Sequence, residues 1–367
     1  MNFIPYGKQS ICNDDINIVI DTLKSDFLTT GLKVNEFEQK IYEKCNAKYC
    51  VSVANGTAAL HLSALALLNK NDKVLTTPNS FLATSNAILY ANAKPIFIDI
   101  CDDGSIDLDI CEEYLKNDSS IKAIFAVSFS GKILDQEKLK YLKYKYNIKI
   151  LEDNAHTMGV NLTHSDISIF SFHPVKHITT AEGGAIVTND KNLYEKIKSL
   201  RNHGQDSTHT MQSLGFNYRL NDISCALGIS QLTKLDKFIQ KRQKIAAKYN
   251  EVFNNHKLIK PLYKYTDNSY YHLFVVQIDF TKLSLTKEDL INKLREKNIG
   301  VQVHYKPINK QPYYTSIGYG NESTPKMNKY IKECISLPIY PILNDTEQEY
   351  VIDILIKLVN KSEINSI

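Results

Sequence analysis

The sequence predicts an α/β protein, with a large domain on a mostly parallel central sheet and a small α+β domain at the C-terminus. Three observations lead there. Short apolar runs recur along the first two-thirds of the chain, each followed by a segment of helical periodicity. The runs are continuous rather than alternating, which places their strands in a sheet buried on both faces by helices. The length of 367 residues suits one large and one small domain.

The first helix is expected over 14–25, where Ile16, Val19, Ile20 and Leu23 recur at helical spacing and Asp14 can cap the first turn. A strand over 50–53 runs into Asn55-Gly56-Thr57 and an Ala/Leu-rich helix over 58–68. The alternation continues with strand 73–77, helix 81–91, strand 95–100, helix 107–116, strand 121–127, helix 135–146 and strand 148–152. Apolar runs at 167–172 and 184–188 extend the sheet, and a long helix covers 222 to about 253. The domain boundary is placed on that helix, giving a large domain over 1–240 and a small one over 241–367. The small domain reads as strand 273–278, helix 287–297, strand 301–305, helix 325–335 and a last helix over 347–359.

Composition narrows the function. The net charge of +4, from 44 basic and 40 acidic residues, is too balanced for a nucleic-acid partner. No apolar run approaches the roughly 18 residues of a membrane helix. The N-terminal 25 residues carry acids and lack a leader pattern, so a cytoplasmic protein with seven reduced cysteines is expected. No Cys-x-x-Cys pair or His/Cys spacing suggests a metal site. His173 and His177 have i, i+4 spacing, but Pro174 opposes a shared helix.

Ligands of open parallel sheets sit beyond the C-terminal ends of the strands. Asn55-Gly56-Thr57 lies at such an end; Gly56 permits close approach, and free N–H groups at the helix start favour an anion. An ordinary turn with an N-cap is the plainer reading. Glu152-Asp153-Asn154-Ala155-His156 ends another strand, either as a cofactor grip or as a loop acid and cap. Ser171 is followed five residues later by Lys176. A partly desolvated lysine at a strand exit is nucleophilic enough to form a Schiff base, although most isolated lysines are surface charges. Gly215-Phe216-Asn217-Tyr218-Arg219 reads, by itself, as an aromatic packing loop.

In combination these segments carry more. Asn55-Gly56-Thr57, Asn79-Ser80-Phe81-Leu82-Ala83-Thr84, Asp153-x-x-His156, Ser171-x-x-x-x-Lys176, Glu182-Gly183-Gly184 and Gly215-Phe216-Asn217-Tyr218-Arg219 closely resemble the motifs of the DegT-type nucleotide-sugar aminotransferases. These are pyridoxal 5'-phosphate enzymes of the aspartate aminotransferase fold (fold type I), and the match in order and spacing runs from about Tyr6 to Pro341. Residues 171–190 and 301–307 are similar to the pseudaminic-acid branch, which aminates C4 of a UDP-linked 4-keto-6-deoxy-N-acetylhexosamine for surface-glycan biosynthesis.

The resemblance implies roles. Lys176 would hold the cofactor and shuttle a proton, and Asp153 would pair with the pyridine nitrogen. His156 would lie near the ring hydroxyl, with Phe81 stacked on the ring. Gly56, Thr57 and Ser171 would bind the phosphate, and Asn217 would reach the phosphate of a neighbouring subunit in a homodimer with shared active sites. Tyr6, Asp26, Phe27, Leu28, Thr29, Gln302, Val303, His304 and Tyr305 would contact the nucleotide sugar, and an amino acid such as glutamate would donate the nitrogen. Two departures stand out: residues 157–165 are shorter than the Gly-containing hairpin usual in the family, and His177 stands where proline is frequent. Other readings are amination of a dTDP- or GDP-linked sugar or of C3, the dehydratase branch whose histidine replaces the lysine, an idle scaffold, and a hydrolase using Asp153 and His156. Lys176 opposes the dehydratase, Lys176, Asp153 and Asn217 oppose the scaffold, and the lack of a nucleophile elbow opposes the hydrolase.

Overall fold

Residues 2–364 are described by the structure, a computed structural model. The first seven strands are β1 (Tyr49–Val53), β2 (Lys73–Thr76), β3 (Lys94–Phe97), β4 (Ile121–Val127), β5 (Lys149–Asp153), β6 (Ile167–Ser171) and β7 (Gly184–Thr188). They form one sheet in the order β1-β7-β6-β5-β4-β2-β3. The pairs β2–β3, β2–β4, β4–β5 and β5–β6 are parallel. β7 alone runs antiparallel to both its neighbours, so β1 points the same way as β6.

Both faces of the sheet are covered, as the continuous apolar runs predict. Val51, Val53, Phe125, Leu151, Ile167 and Ile169 pack with residues of helices Gly56–Leu67, Leu82–Tyr90 and Lys191–Arg201. Their sequence neighbours point the other way. Cys50, Phe170 and Val187 meet Phe37 and Ile41 of helix Leu32–Lys44 and Ile229 of helix Asp222–Leu232. Leu75, Ile124 and Ile150 meet helices Leu108–Asn117 and Gln136–Tyr146.

A second sheet joins β8 (Ile259–Pro261), β9 (Phe274–Ile278) and β10 (Cys334–Leu337) in the antiparallel order β10-β9-β8. Its core takes in helices Leu235–Phe253, Lys287–Glu296 and Asp345–Lys361. The N-terminal strap belongs to this core: Ile4 is fully buried in it, donates its N–H to Asn298 and accepts from Gly300.

Several expectations need correction. The long helix over 222–253 is two helices, because Lys234 N–H turns back to the Gln231 carbonyl and Thr233 Oγ1 to that of Ser230. Residues 301–305 form no strand; Gln302 makes a single bridge to Ser336, while the Tyr305 N–H goes to the Asn79 side chain. The helix expected over 325–335 ends at Glu333, and Cys334–Leu337 becomes β10 because Ile335 and Leu337 complete the second core. Helices Leu32–Lys44 and Lys191–Arg201 and strand β8 were absent from the expectation.

Candidate active site

Strand direction concentrates the polar segments at one edge. Val53 of β1 pairs with Gly184 of β7, which pairs in turn with Ser171 of β6, so the three form a row across the sheet. Asp153, the last residue of β5, pairs with Ile169 of β6 and Val127 of β4. Beyond this row lies a cavity of about 600 Å³ whose lining includes Gly56, Thr57, Phe81, Asp153, His156, Ser171 and Lys176. Tyr6, Gln302, Val303, His304 and Tyr305 complete its wall.

One end of the cavity suits an anion. Asn55 caps helix Gly56–Leu67, its side chain accepting from the Ala58 N–H at 2.8 Å. The first-turn N–H groups of Gly56 and Thr57 have no acceptor within the helix, so they present partial positive charge. A Cβ on Gly56 would meet Ser171 Cβ at 2.9 Å and Oγ at 3.1 Å, so the hydroxyl lies directly over the turn. A Cβ on Gly184 would stand 2.6 Å from the Asn55 carbonyl oxygen, so only glycine lets β7 pass beneath this turn.

The other groups suit a flat, positively charged ring. Asp153 is 5% exposed and accepts from Thr84 Oγ1 at 2.6 Å and from the Ala155 N–H at 3.1 Å. Burial raises its pKa, opposed by those two hydrogen bonds and the Lys176 charge. A buried carboxylate without a directly bonded cation is suited to pairing with a protonated ring nitrogen. Phe81 keeps 60% of its surface exposed at the cavity mouth, an apolar face that a ring would cover. His156 is buried with Nε2 3.4 Å from the Tyr305 hydroxyl, and its Nδ1 has no partner among the described residues.

Lys176 projects from a loop over 172–183 that closes on itself. The Lys176 N–H bonds the His173 carbonyl at 2.8 Å, and the N–H groups of Phe172 and Thr180 bond Gly183 and Phe172. Removal of its amine from bulk water pushes the pKa down to about 8, with the Asp153 charge opposing and the Arg242 charge assisting. Such an amine is a free base in a useful fraction near neutral pH, as a nucleophilic lysine must be.

Two contributors, His272 and Arg242, were missed by the sequence reading, and a third, Thr84, stood in a quoted motif without a role. Thr84 holds Asp153. His272 places Nε2 3.3 Å from Lys176 Nζ. Arg242 is fully buried and donates to the carbonyls of Ile339 at 2.9 Å, His272 at 3.2 Å, Tyr271 at 3.3 Å and Val175 at 3.4 Å. It thereby ties the Lys176 loop to the His272 segment. All three lie in apolar or helical contexts that conceal polar work. The departures in sequence also have places: His177 is buried and donates Nε2–H to the Tyr270 carbonyl at 2.9 Å, and residues 157–165 form no strand, Leu162 N–H closing on the Cys45 carbonyl at 2.8 Å.

Asn217 and Asp26–Thr29 do not line this cavity. Asn217 is exposed and bridges Asn202. Asp26, Phe27, Leu28 and Thr29 are exposed in the turn after helix Asn13–Leu23, and Thr29 bridges Asn221, which ties that turn to the loop carrying Asn217. Among the described residues no group of three or more His, Cys, Asp or Glu is arranged to hold a metal ion, and no helix is long and apolar enough to cross a membrane.

The model of the DegT/DnrJ/EryC1/StrS aminotransferase family matches residues 9–356. A UDP-4-amino-4,6-dideoxy-N-acetyl-beta-L-altrosamine transaminase of Campylobacter jejuni (strain 81-176) is 40% identical over 370 residues, covering 98% of each chain. Helicobacter pylori PseC, described as an aminotransferase involved in the biosynthesis of pseudoaminic acid, superposes with a TM-score of 0.92 at 31% identity, over 98% of this chain and 100% of that one. NtdA from Bacillus subtilis, solved with bound cofactor PMP, superposes with a TM-score of 0.87 at 26% identity, over 95% of this chain and 83% of that one. With the family model spanning nearly its whole length and relatives of this similarity end to end, the chain belongs to the DegT/DnrJ/EryC1/StrS aminotransferase family.

Proposed function

We propose that this aminotransferase moves an amino group from an amino acid, glutamate in the first instance, to C4 of a UDP-linked 4-keto-6-deoxy-N-acetylhexosamine, with pyridoxal 5'-phosphate as cofactor. One observation carries the reading. A single cavity holds a lysine amine of lowered pKa, a buried carboxylate without a bonded cation among the described residues, and a helix N-terminus under a serine hydroxyl. That set fits an aldehyde, a ring nitrogen and a phosphate on one molecule. The name of the 40% identical relative supplies the sugar.

When bound, the cofactor supplies an electron-accepting ring that stabilises charge at the carbon bearing the nitrogen. The chain's residues do the rest. The N–H groups of Gly56 and Thr57 and the Ser171 hydroxyl bind the phosphate. Asp153 keeps the ring nitrogen protonated, Thr84 keeps Asp153 aimed, and His156 offers a ring nitrogen near the hydroxyl. Phe81 covers one face. Lys176 Nζ would hold the cofactor through its aldehyde carbon, with the carbonyl oxygen leaving as water, and once displaced would accept and return the proton at the reacting carbon. Tyr6 and Gln302, Val303, His304 and Tyr305 form the sugar side of the cavity.

The reading includes a homodimer. Asn217 serves the phosphate of a second copy, and Asp26–Thr29, tied to the same face, reaches that copy's sugar. Exposed Phe27, Leu28, Leu32, Met211 and Leu214 on or beside these segments support burial against another chain. The division at about residue 240, with the N-terminal strap crossing to the smaller core, is part of the same reading.

The test is an assay with glutamate as donor against a panel of UDP-, dTDP- and GDP-linked 4-keto and 3-keto sugars. The proposal expects the UDP-linked 4-keto-6-deoxy-N-acetylhexosamine to give the highest kcat/KM and nitrogen at C4. A higher kcat/KM for a dTDP- or GDP-linked sugar, or nitrogen at C3, would replace it with the corresponding alternative.

A further inference from the structure

Four histidines surround the lysine amine, and one of them touches it. His272 is 4% exposed, and its Nε2 lies 3.3 Å from Lys176 Nζ. Its ring stands 4.2 Å from that of His156 and 5.7 Å from that of His177. Its backbone is fixed from both sides: Arg242 bonds the carbonyls of Tyr271 and His272, and the Tyr270 and Leu273 N–H groups bond the carbonyls of Gly131 and Ser130. Arg242 also reaches the Val175 carbonyl, one residue before Lys176. The same buried guanidinium therefore sets the position of both the amine and its partner.

We propose that His272 is a positioning residue for Lys176, holding the amine in the cavity whenever it is not bonded to the cofactor. The inference rests on the function proposed above, in which Lys176 is released and recaptured in each turnover. Imidazole suits the task because one atom serves both states of the amine: Nε2 accepts from the ammonium, and as Nε2–H it donates to the free base. His156 and His177 are less suited. His156 Nε2 faces the Tyr305 hydroxyl, and the His177 Nε2–H is committed to the Tyr270 carbonyl.

The charged and titratable groups acting on Lys176 are Asp153, Arg242, His156, His177, His272 and His304. Burial holds all four imidazoles well below their ordinary pKa, so they act as neutral dipoles near pH 7. A hydrogen bond to a charged amine is about twice as strong as one to a neutral amine. His272 therefore offsets part of the desolvation of the ammonium, and its loss lowers the amine's pKa further.

The experiment uses the full-length chain freed of cofactor. Acetic anhydride acetylates free amines, and peptide mass spectrometry follows Lys176 across a pH series. In the wild type the midpoint is expected at about 8. Phenylalanine keeps the ring without the nitrogen, asparagine ends short of Nζ, and glutamine reaches it. His272→Phe and His272→Asn should move the midpoint down by about half a unit, so that Lys176 acetylates roughly threefold faster at pH 7. His272→Gln should keep the wild-type midpoint. If His272→Phe does not fold by circular dichroism, the asparagine and glutamine variants make the same comparison. An unchanged midpoint in the folded variants, or a glutamine shift as large as the asparagine shift, would overturn the positioning role. A wild-type midpoint at that of a surface lysine would mean an amine standing in water and would overturn this role; failure of the function reading shows separately, as the absence of a Lys176 adduct after borohydride reduction of the cofactor-loaded protein.

Discussion

At the scale of single residues, the site turns on the two charges that burial unbalances. Asp153 is raised and Lys176 lowered by the same desolvation, each waiting for a partner that the chain itself supplies only in part. Asp153→Asn should leave the fold and cofactor binding intact while the rate falls about a thousandfold, the equivalent of roughly 4 kcal/mol of lost charge stabilisation. Steady-state kinetics beside a cofactor-binding titration measure both quantities, and an unchanged rate would assign the ring nitrogen to another acid. Thr84→Val removes one hydroxyl donor from that carboxylate. It should lower kcat by roughly ten- to a hundredfold, with KM for the sugar little changed, because the loss of one hydrogen bond to a charge is worth about 1.5–3 kcal/mol. At this scale the sequence was legible where motifs carried it. Lys176, Asp153, His156, Ser171 and Gly56 meet in one cavity. The role of Thr84, which its motif did not assign, and the places of His272 and Arg242 stayed hidden because they depend on contacts 69, 96 and 67 positions away, to Asp153, Lys176 and Val175.

Among elements, the strand–turn–helix units decide where chemistry sits, and the turn at Asn55-Gly56-Thr57 is the most constrained of them. Gly184 passes so close beneath it that an added methyl would overlap the Asn55 carbonyl. Gly184→Ala should therefore destabilise the protein by about 1–3 kcal/mol in denaturant unfolding and weaken cofactor binding as the turn is displaced. Wild-type stability and affinity in that variant would show that the turn can shift freely. The sequence read the elements of the large sheet to within a few residues because each strand is an apolar run between breakers. It failed where an element's start or pairing is set from far away. Helix Leu32–Lys44 begins at Gly31, whose N–H is capped by the Asp222 carboxylate at 2.8 Å, so no local capping residue announces it. Helix Lys191–Arg201 buries only Ile197 and Leu200, too thin a stripe to stand out from its charged residues. Residues 301–305 have strand-like composition, but Tyr305 gives its N–H to Asn79 rather than to a neighbouring strand.

For the whole molecule, the proposed homodimer makes the active site a property of two chains. Asn217 and Asp26–Thr29 are outside the cavity of their own chain, and Thr29 bridges Asn221, four residues past Asn217, so a two-fold arrangement is needed for them to act in a site. Lys176→Ala and Asn217→Asp homodimers should each be impaired, the second because a carboxylate repels the phosphate. After subunit exchange, random pairing gives mixed dimers with one intact site each, so activity should recover to about a quarter of the wild-type total. No recovery despite verified exchange would confine Asn217 to its own chain or to no role.

Whether Lys176 carries the cofactor is decided by borohydride reduction of the protein loaded with pyridoxal 5'-phosphate, followed by peptide mapping. One reduced adduct per chain is expected, on the peptide containing Lys176, and it should be lost in a folded Lys176→Ala variant that still binds the cofactor without a covalent bond. An adduct on a different lysine, or none at all in protein that binds the cofactor, would contradict that role for Lys176.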